Sequence, residues 1–447
     1  MIVAGVMSGT SLDGIDAVAV DFADDGGMRV VGQASLPMPS ALRSELLALA
    51  LGTDHEIERM GDASVALAHL YAWTLQDLQQ RLSEPIAAAG VHGQTIRHRP
   101  ERGFTLQLNH PALVAELSGI DIIADFRSRD VAAGGEGAPL VPAFHAACFR
   151  SAECSTAVLN IGGIANFTLI PQDFAADVLG FDCGPGNMLL DHWMQTAQGL
   201  PYDADGSYAR SGSIDQALLA QMLADPYFAR PIPKSTGREY FSPSWLDEKL
   251  HASGEFRRAA DMPDERRRSI AAVLTELTAR SAVDALIRWL PDVQRLYLCG
   301  GGALNSFLCE RIRIALDAAG AHTVALCSTA ACGIDPMAVE GAAFAWLAHQ
   351  WFLRQPGNLP AATHAAGPRR LGCLYPASFR QLRPRKMIRS RRLSQRWDCQ
   401  SQTVRPKDLP YSRSSRPPGT GSSSSQSAES HRPFASRHHH RFAFHRM

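Results

Sequence analysis

The sequence predicts an α/β protein of two similar domains with a cleft between them, and three observations carry that expectation. A strand, glycine turn, strand pattern opens the chain as "MIVAGVMSGTSLDGIDAVAVDF" and returns as "TAVLNIGGIANFTLI" at Thr156 to Ile170. The two copies start roughly 155 residues apart, about one domain length. Strand patterns then alternate with helix patterns through the first 377 residues, the way layered α/β folds read.

Each element follows from its spacing. In the first copy, apolar runs from Met1 to Met7 and from Ile15 to Phe22 flank a short polar loop. Asp13-Gly14 predicts the hairpin turn itself. Ser8, Gly9, Thr10, Ser11 and Asp16 are then left without a structural duty. Apolar residues three and four apart predict helices over Ala63 to Leu82, Asn187 to Gln198, Arg266 to Leu290 and Ala338 to Phe352. Short β-rich runs at Ile120 to Ala124 and Arg295 to Cys299 predict strands. Gly162-Gly163 marks the bend of the second copy.

A third glycine element reads "RLYLCGGGALNSFLCERIRIAL". An apolar strand runs into Gly300, Gly301 and Gly302, with a helix expected from about Ala303. Glycines at a helix start let an anionic or polar ligand approach free N–H groups. A close helix–strand crossing is the plainer explanation of a lone triplet. The expected domains are 1–150 and 151–377, with the helix near 338–352 able to pack back on the first. Residues 378–447 form a tail.

Composition separates that tail from the rest. The chain has 44 Lys+Arg and 44 Asp+Glu, a formal net charge of zero. Residues 378–447 hold 16 of the basic residues and 3 of the acidic ones, which leaves 28 basic and 41 acidic residues before them. Arg, Ser and Pro without apolar periodicity predict disorder. Such a tail reads either as a basic arm for nucleic acid or as a segment with no folded role, and the missing apolar pattern favours the second. The nine cysteines form no C-x-x-C pair, so neither a zinc site nor a disulfide framework is expected. No stretch reaches the roughly 20 apolar residues of a membrane helix. The N-terminus lacks signal-peptide features, and a cytoplasmic location is expected.

Several phosphate-handling classes fail on inspection. Gly9 and Gly14 have Walker A spacing, but Ile15 stands where Lys is required. Lys234 and Lys249 are the only lysines in the first 377 residues, and neither sits in such a loop. No V-A-I-K or H-R-D element of a protein kinase is present, and Gly300 to Gly302 miss the dinucleotide pattern. Glycine hairpins whose backbone N–H groups and hydroxyls hold phosphate remain. Asp13 or Asp16 would then face a magnesium ion, which takes one or two carboxylates and keeps several waters.

Two such hairpins at matching points of duplicated domains, followed by a glycine-rich adenosine element, resemble the actin/hexokinase/Hsp70 superfamily with its actin-like (RNase H-like) domains. Within it, "MSGTSLDGID", "HGQTIRH", "DFRSRDVAAGGEGAPLVP", "NIGGIANFT" and "GFDCGPGN" closely resemble the anhydro-N-acetylmuramic acid kinases, almost continuously from Met1 to about Ala377. The resemblance implies that ATP phosphorylates O6 of 1,6-anhydro-N-acetylmuramic acid while water opens the anhydro ring. The product would be N-acetylmuramic acid 6-phosphate, an intermediate of cell-wall recycling.

That resemblance also implies the site. The family's catalytic Asp falls on Asp182, expected in a rigid loop after a strand and suited to act as general base. ATP would lie against Gly9, Thr10, Ser11, Leu12, Asp13, Gly14, Ile15 and Asp16, then Gly162, Gly163, Gly300, Gly301 and Gly302, with Mg²⁺ at Asp13 and Asp16. Arg127, and less surely Arg129, would pair with the lactyl carboxylate. Gln94, Thr95, Asp130 and Glu340 complete the expected sugar contacts, and His92 is the weakest candidate, as an acid. The family pattern has Thr where Cys183 stands and Gln where Glu136 stands. The partner is a small amino sugar, not a membrane or nucleic acid, and a homodimer is admitted. Two alternatives are a related sugar kinase of different substrate and a non-catalytic ATP-binding scaffold.

Overall fold

Alternating apolar residues lay β1 (Ile2–Met7) against β2 (Gly14–Phe22) and β2 against β3 (Met28–Pro37), both antiparallel. This is seen in a computed structural model that describes residues 1–9, 12–237, 239–255 and 258–377. After the helices Ser40–Leu51 and Glu56–Gln80, β4 (Ala88–Val91) joins β1 in parallel. A hairpin of β5 (Gln94–Arg99) and β6 (Phe104–Leu108) stands apart. The helix Pro111–Ser118 then leads into β7 (Asp121–Ala124), parallel to β4.

The second half repeats this plan. β8 (Ser155–Ile161), β9 (Ile164–Ile170) and β10 (Leu179–Pro185) form an antiparallel meander, and β11 (Val293–Cys299) and β12 (Ala325–Ser328) follow in parallel. With β13 (Cys373–Tyr375) on its edge, the first sheet runs β13-β7-β4-β1-β2-β3, and the second runs β10-β9-β8-β11-β12. Within each half the strand order is therefore third, second, first, fourth, fifth, with the same directions. The recurrence expected from the two glycine hairpins is a recurrence of topology.

The helix Val339–Phe352 follows the second sheet in sequence yet packs on β1, β2 and β4 of the first. Glycine permits the approach. A Cβ on Gly5 would overlap the Gly341 carbonyl oxygen, and one on Gly90 would overlap that of Phe344. Val3, Val18 and Val20 then share one apolar cluster with Phe344, Leu347, Phe144, Val158 and Ile170. That cluster draws side chains from both sheets, so the last long helix joins the two halves.

Several expectations are corrected by the fold. Asp13-Gly14 is not the hairpin turn: Met7 pairs with Asp16, and Gly14 already lies in β2 opposite Pro37. Among the described residues of the loop, Leu12 is left-handed, at φ 58°. The helix expected from Ala63 starts at Glu56, because its first turn is polar and carries Glu56 and Glu58, which suit a helix N-terminus. After Gly300 a tight turn (Gly301–Leu304) intervenes and the helix begins at Ser306. Asn305 Oδ1 accepts the Leu308 N–H at 2.9 Å and Asp205 Oδ1 accepts the Ser306 N–H at 3.0 Å. These two helix-start donors are therefore taken.

The described residues fall in one compact unit, and the other, Gln400–Met447, lies wholly outside them. The disordered tail expected over 378–447 also lies outside them. Among the described residues no helix is long and apolar enough to cross a membrane.

Candidate active site

Strand register builds the first part of the site. Asn160 on β8 pairs with Asn166 on β9, and Asn166 pairs with Asp182 on β10. Opposed residues of antiparallel strands point to the same face. A row of three polar side chains therefore crosses the second sheet, spanning roughly 10 Å for two strand spacings. Asp182 was expected in a loop but sits inside β10, just before a bulge at Cys183. A bulge re-aims a strand residue without breaking the sheet, so the position is more rigid than a loop.

Asp182 is gripped by a segment remote in sequence. Its N–H donates to the Lys234 carbonyl at 2.9 Å, its carbonyl accepts the Tyr227 hydroxyl at 2.7 Å, and Oδ2 accepts the Thr236 N–H at 2.9 Å. Burial pushes the Asp182 carboxyl up to about 6, against the Thr236 hydrogen bond and with a smaller push from Glu239. A carboxyl held there changes charge near neutral pH, as a general base requires.

Glu340 ties the row to the first sheet. Its carboxyl lies near the Asn160 side chain, which favours the ionised form. Burial raises its pKa, Arg127 lowers it and Asp16 raises it, so both groups lie within electrostatic reach of Glu340. The close packing of Gly341 on β1 fixes where Glu340 emerges.

Arg127 donates from Nε to His92 Nε2 at 2.9 Å and from Nη1 to the Gly137 carbonyl at 2.8 Å. Burial lowers its pKa to about 10, opposed by Glu340 and then Asp130, so it stays cationic at neutral pH. Burial first, and Arg127 second, hold His92 well below its ordinary value. A neutral ring that accepts at Nε2 carries its proton on Nδ1. His92 thus orients Arg127 and is no acid. Its Nδ1 and the nearby Gln94 Oε1 are buried without a hydrogen-bond partner among the described residues. Thr95 Oγ1 accepts from Gln107 at 3.2 Å, and Arg129 is exposed.

Asp130 is corrected. It is fully buried, and its carboxylate accepts from Asn358 Nδ2 at 2.6 Å, Thr363 Oγ1 at 2.8 Å and the Gly137 N–H at 2.8 Å. It ties down the segment after the last long helix rather than facing a sugar. Glu136 meets His364 Nδ1 at 2.9 Å in the same region. Cys183 is buried and donates to the Ala165 carbonyl at 3.3 Å.

The glycine elements converge in the second half. Carbonyls of Gly162 and Gly163 accept the N–H groups of Asn187 at 2.8 Å and Gly186 at 2.9 Å. Gly300, at φ 76°, and Gly302 lie so close to Asn160 and Ile161 that a Cβ on either would overlap them. In the first half, Gly9 accepts the Leu12 N–H at 3.1 Å, while Thr10 and Ser11 lie outside the described residues. Asp13 faces Arg43 at 3.7 Å, and Asp16 Oδ1 accepts from Ser35 at 2.6 Å. Crowding by protein raises the Asp16 carboxyl, Ser35 lowers it and Asp13 raises it again. Two exposed carboxylates that repel each other suit a hydrated divalent ion. Among the described residues no three potential metal ligands cluster, so such an ion would take its remaining ligands from water and phosphate.

Sequence reasoning missed Asn160, Asn166, Ser35, Tyr227 and Thr236. The available signal was "LNIGGIANF", where two asparagines interrupt strands that are otherwise apolar.

Two halves of the same strand order, each opening on a glycine-bearing hairpin, with acidic and basic groups meeting where they adjoin, define an α/β protein of the sugar-kinase and actin-like ATPase class. A family model described as anhydro-N-acetylmuramic acid kinase matches residues 1–377. The chain belongs to the anhydro-N-acetylmuramic acid kinase family. A relative of that name from Variovorax paradoxus is 50% identical over 383 residues, covering 83% of this chain and 98% of its own. Another, from Burkholderia cenocepacia, is 48% identical over 375 residues, covering 83% and 95%. A solved ROK family glucokinase from Streptomyces griseus, in complex with glucose and AMPPNP, is 13% identical with a TM-score of 0.35, covering 78% of this chain and 100% of that one.

Proposed function

We propose that this kinase transfers the γ-phosphoryl of ATP to O6 of 1,6-anhydro-N-acetylmuramic acid while a water molecule opens the anhydro ring. The carrying observation is Asp182, held at both backbone groups and one carboxylate oxygen, with its pKa near 6 and sharing a sheet face with Asn166 and Asn160. Asp182 takes a proton from water as the water oxygen bonds to the anomeric carbon. The bond from that carbon to O6 breaks, O6 bonds to the γ-phosphorus, and ADP leaves. Atoms and charge balance without a covalent enzyme intermediate.

The remaining residues bind and orient. Arg127, aimed by His92, pairs with the substrate carboxylate, for which a guanidinium offers a bidentate fit. Gln94, Thr95 and Glu340 meet hydroxyl and acetamido groups. The segment Gly9–Asp16, with Gly162, Gly163 and Gly300–Gly302, lies along the nucleotide. Mg²⁺ at Asp13 and Asp16 would supply neutralisation of phosphate charge. The enzyme works in the cytoplasm on a small amino sugar, and residues 1–377 form the two catalytic domains without help from 378–447.

The test is mass spectrometry of the sugar after incubation with ATP, Mg²⁺ and 1,6-anhydro-N-acetylmuramic acid in heavy-oxygen water. The expected product is a 6-phosphate with heavy oxygen at the anomeric hydroxyl. Unchanged sugar from folded, ATP-binding protein would discard the substrate assignment.

A further inference from the structure

The segment from Asp225 to Phe241 is absorbed by neither the nucleotide nor the sugar contacts, yet it touches Asp182 at every backbone polar group and at one carboxylate oxygen. Asp182 is paired with Asn166 of β9 on one side only, because β10 is the edge strand of its sheet, and the segment supplies partners on the open edge. Lys234 provides the carbonyl for the Asp182 N–H, Tyr227 the hydroxyl for its carbonyl, and Thr236 the N–H for Oδ2. Among the described residues none donates to Oδ1. We propose that Tyr227, Lys234 and Thr236 are positioning residues that brace Asp182 so that Oδ1 is the oxygen that receives the proton from water. This rests on the reading of Asp182 as the base.

The brace is itself braced. Tyr227 is fully buried. The Lys234 ammonium donates to the Tyr227 carbonyl at 3.0 Å and the Phe228 carbonyl at 3.3 Å, and lies 4.5 Å from the centre of the Tyr227 ring. Asp225, also buried, accepts from the Tyr227 N–H at 3.0 Å, the Tyr240 hydroxyl at 2.7 Å and Trp245 Nε1 at 2.9 Å, and pairs with Lys249 at 3.0 Å. Rings of Tyr227, Phe228, Tyr240, Phe241 and Trp245 pack edge to face or tilted around it. A satisfied polar centre inside an aromatic shell has one arrangement. The Tyr227 hydroxyl is thus a fixed point, and preorganisation of this kind is what an aimed base needs.

Groups that face the carboxyl are few. Glu239 is on the same segment. The Tyr227 phenol and the adjacent Cys183 thiol are both raised, chiefly by burial, and are neutral. Lys234 and Arg230 are the cations beside Tyr227. Tyr227→Phe keeps the ring, so burial of Asp182 is unchanged while its carbonyl loses an anchor. The Thr236 bond to Oδ2 then weakens, and the carboxylate form with it.

The experiment measures kcat, the KM for ATP and the pH dependence of kcat/KM for wild type, Tyr227→Phe and Asp182→Asn, with the full chain and the anhydro sugar. The expected result for Tyr227→Phe is a kcat lower by about tenfold or more, an unchanged KM for ATP, and an acid limb moved above the wild-type position. Wild-type kcat and an unmoved limb in Tyr227→Phe, with Asp182→Asn inactive, would overturn the brace and leave the base standing. Full turnover in Asp182→Asn would instead overturn the base, and the brace with it. If Tyr227→Phe does not fold, Lys234→Met removes the ammonium that holds the Tyr227 carbonyl and is read in the same way.

Discussion

Arg127 Nε donates to His92 Nε2 at 2.9 Å, which leaves the proton of the neutral imidazole on Nδ1. Both groups are largely enclosed, with Phe344 of the last long helix 4.7 Å from the His92 ring. The cation therefore keeps one nitrogen on His92 and one on the Gly137 carbonyl.

Loss of His92 is expected to act through Arg127. A hydrogen bond to a charged group contributes about 1.5–3 kcal/mol, so His92→Ala should raise the KM for the sugar by about ten- to a hundredfold. Arg127→Ala should do at least as much, and the double variant should not add the two effects, since they share one interaction. Steady-state kinetics of the three variants check this, with additive effects counting against it.

Asp182 carries a stability effect as well as a chemical one. Its folded-state pKa of about 6 lies above the ordinary carboxylate value, so the folded protein binds the proton more tightly than the unfolded chain does. The burdened state is the ionised one. Above about pH 6 Asp182→Asn should be the more stable protein, by up to about 3 kcal/mol. The gap should shrink as pH falls from about 6 toward 4 and vanish below. The same variant should lose about two to four orders of magnitude in kcat. Urea melts at pH 4, 6 and 8 beside initial rates check both halves.

Asp130 should separate from Arg127 although the two are neighbours in sequence. Its carboxylate serves Asn358, Thr363 and Gly137, and each orphaned donor costs about 1–3 kcal/mol. Asp130→Ala should therefore lower the denaturation midpoint strongly. The fraction that stays folded should keep a near wild-type KM for ATP, as active-site titration would record.

Gly5 and Gly341 allow no side chain between strand and helix. Gly5→Ala should destabilise by about 1–3 kcal/mol, the usual range for overpacking. A Gly61→Ala control, at a helical glycine with nothing within 4 Å, should be neutral or slightly stabilising. Thermal melts compare the two.

Much of the fold was legible because helices and hairpins declare themselves locally. The apolar spacing of Asn187 to Gln198 and Ala338 to Phe352 located helices that the structure begins one residue later. Polar first turns hid the true starts at Glu56 and Asp264, since periodicity reads only the buried stripe. At the site, a glycine-proline run after Asp182 resembled a loop, whereas the cross-strand partners Asn166 and Asn160 hold it in a sheet. Tyr227 and Thr236 were not legible at all. Their meaning lies in contacts some 50 residues away in sequence, and no local pattern encodes those. Asp130 misled for the opposite reason: it stands near Arg127 in sequence, but its carboxylate is taken up by Asn358, Thr363 and Gly137.

The last long helix covers the strand that is made first. Val3, Val18 and Val20 present an apolar face that only Val339–Phe352 and its neighbours close. At about 5–20 residues per second, a ribosome needs roughly 20–70 s between Gly5 and Gly341. Through that interval the opening sheet waits half-covered, and a nascent chain stalled before residue 339 is a natural client for a chaperone.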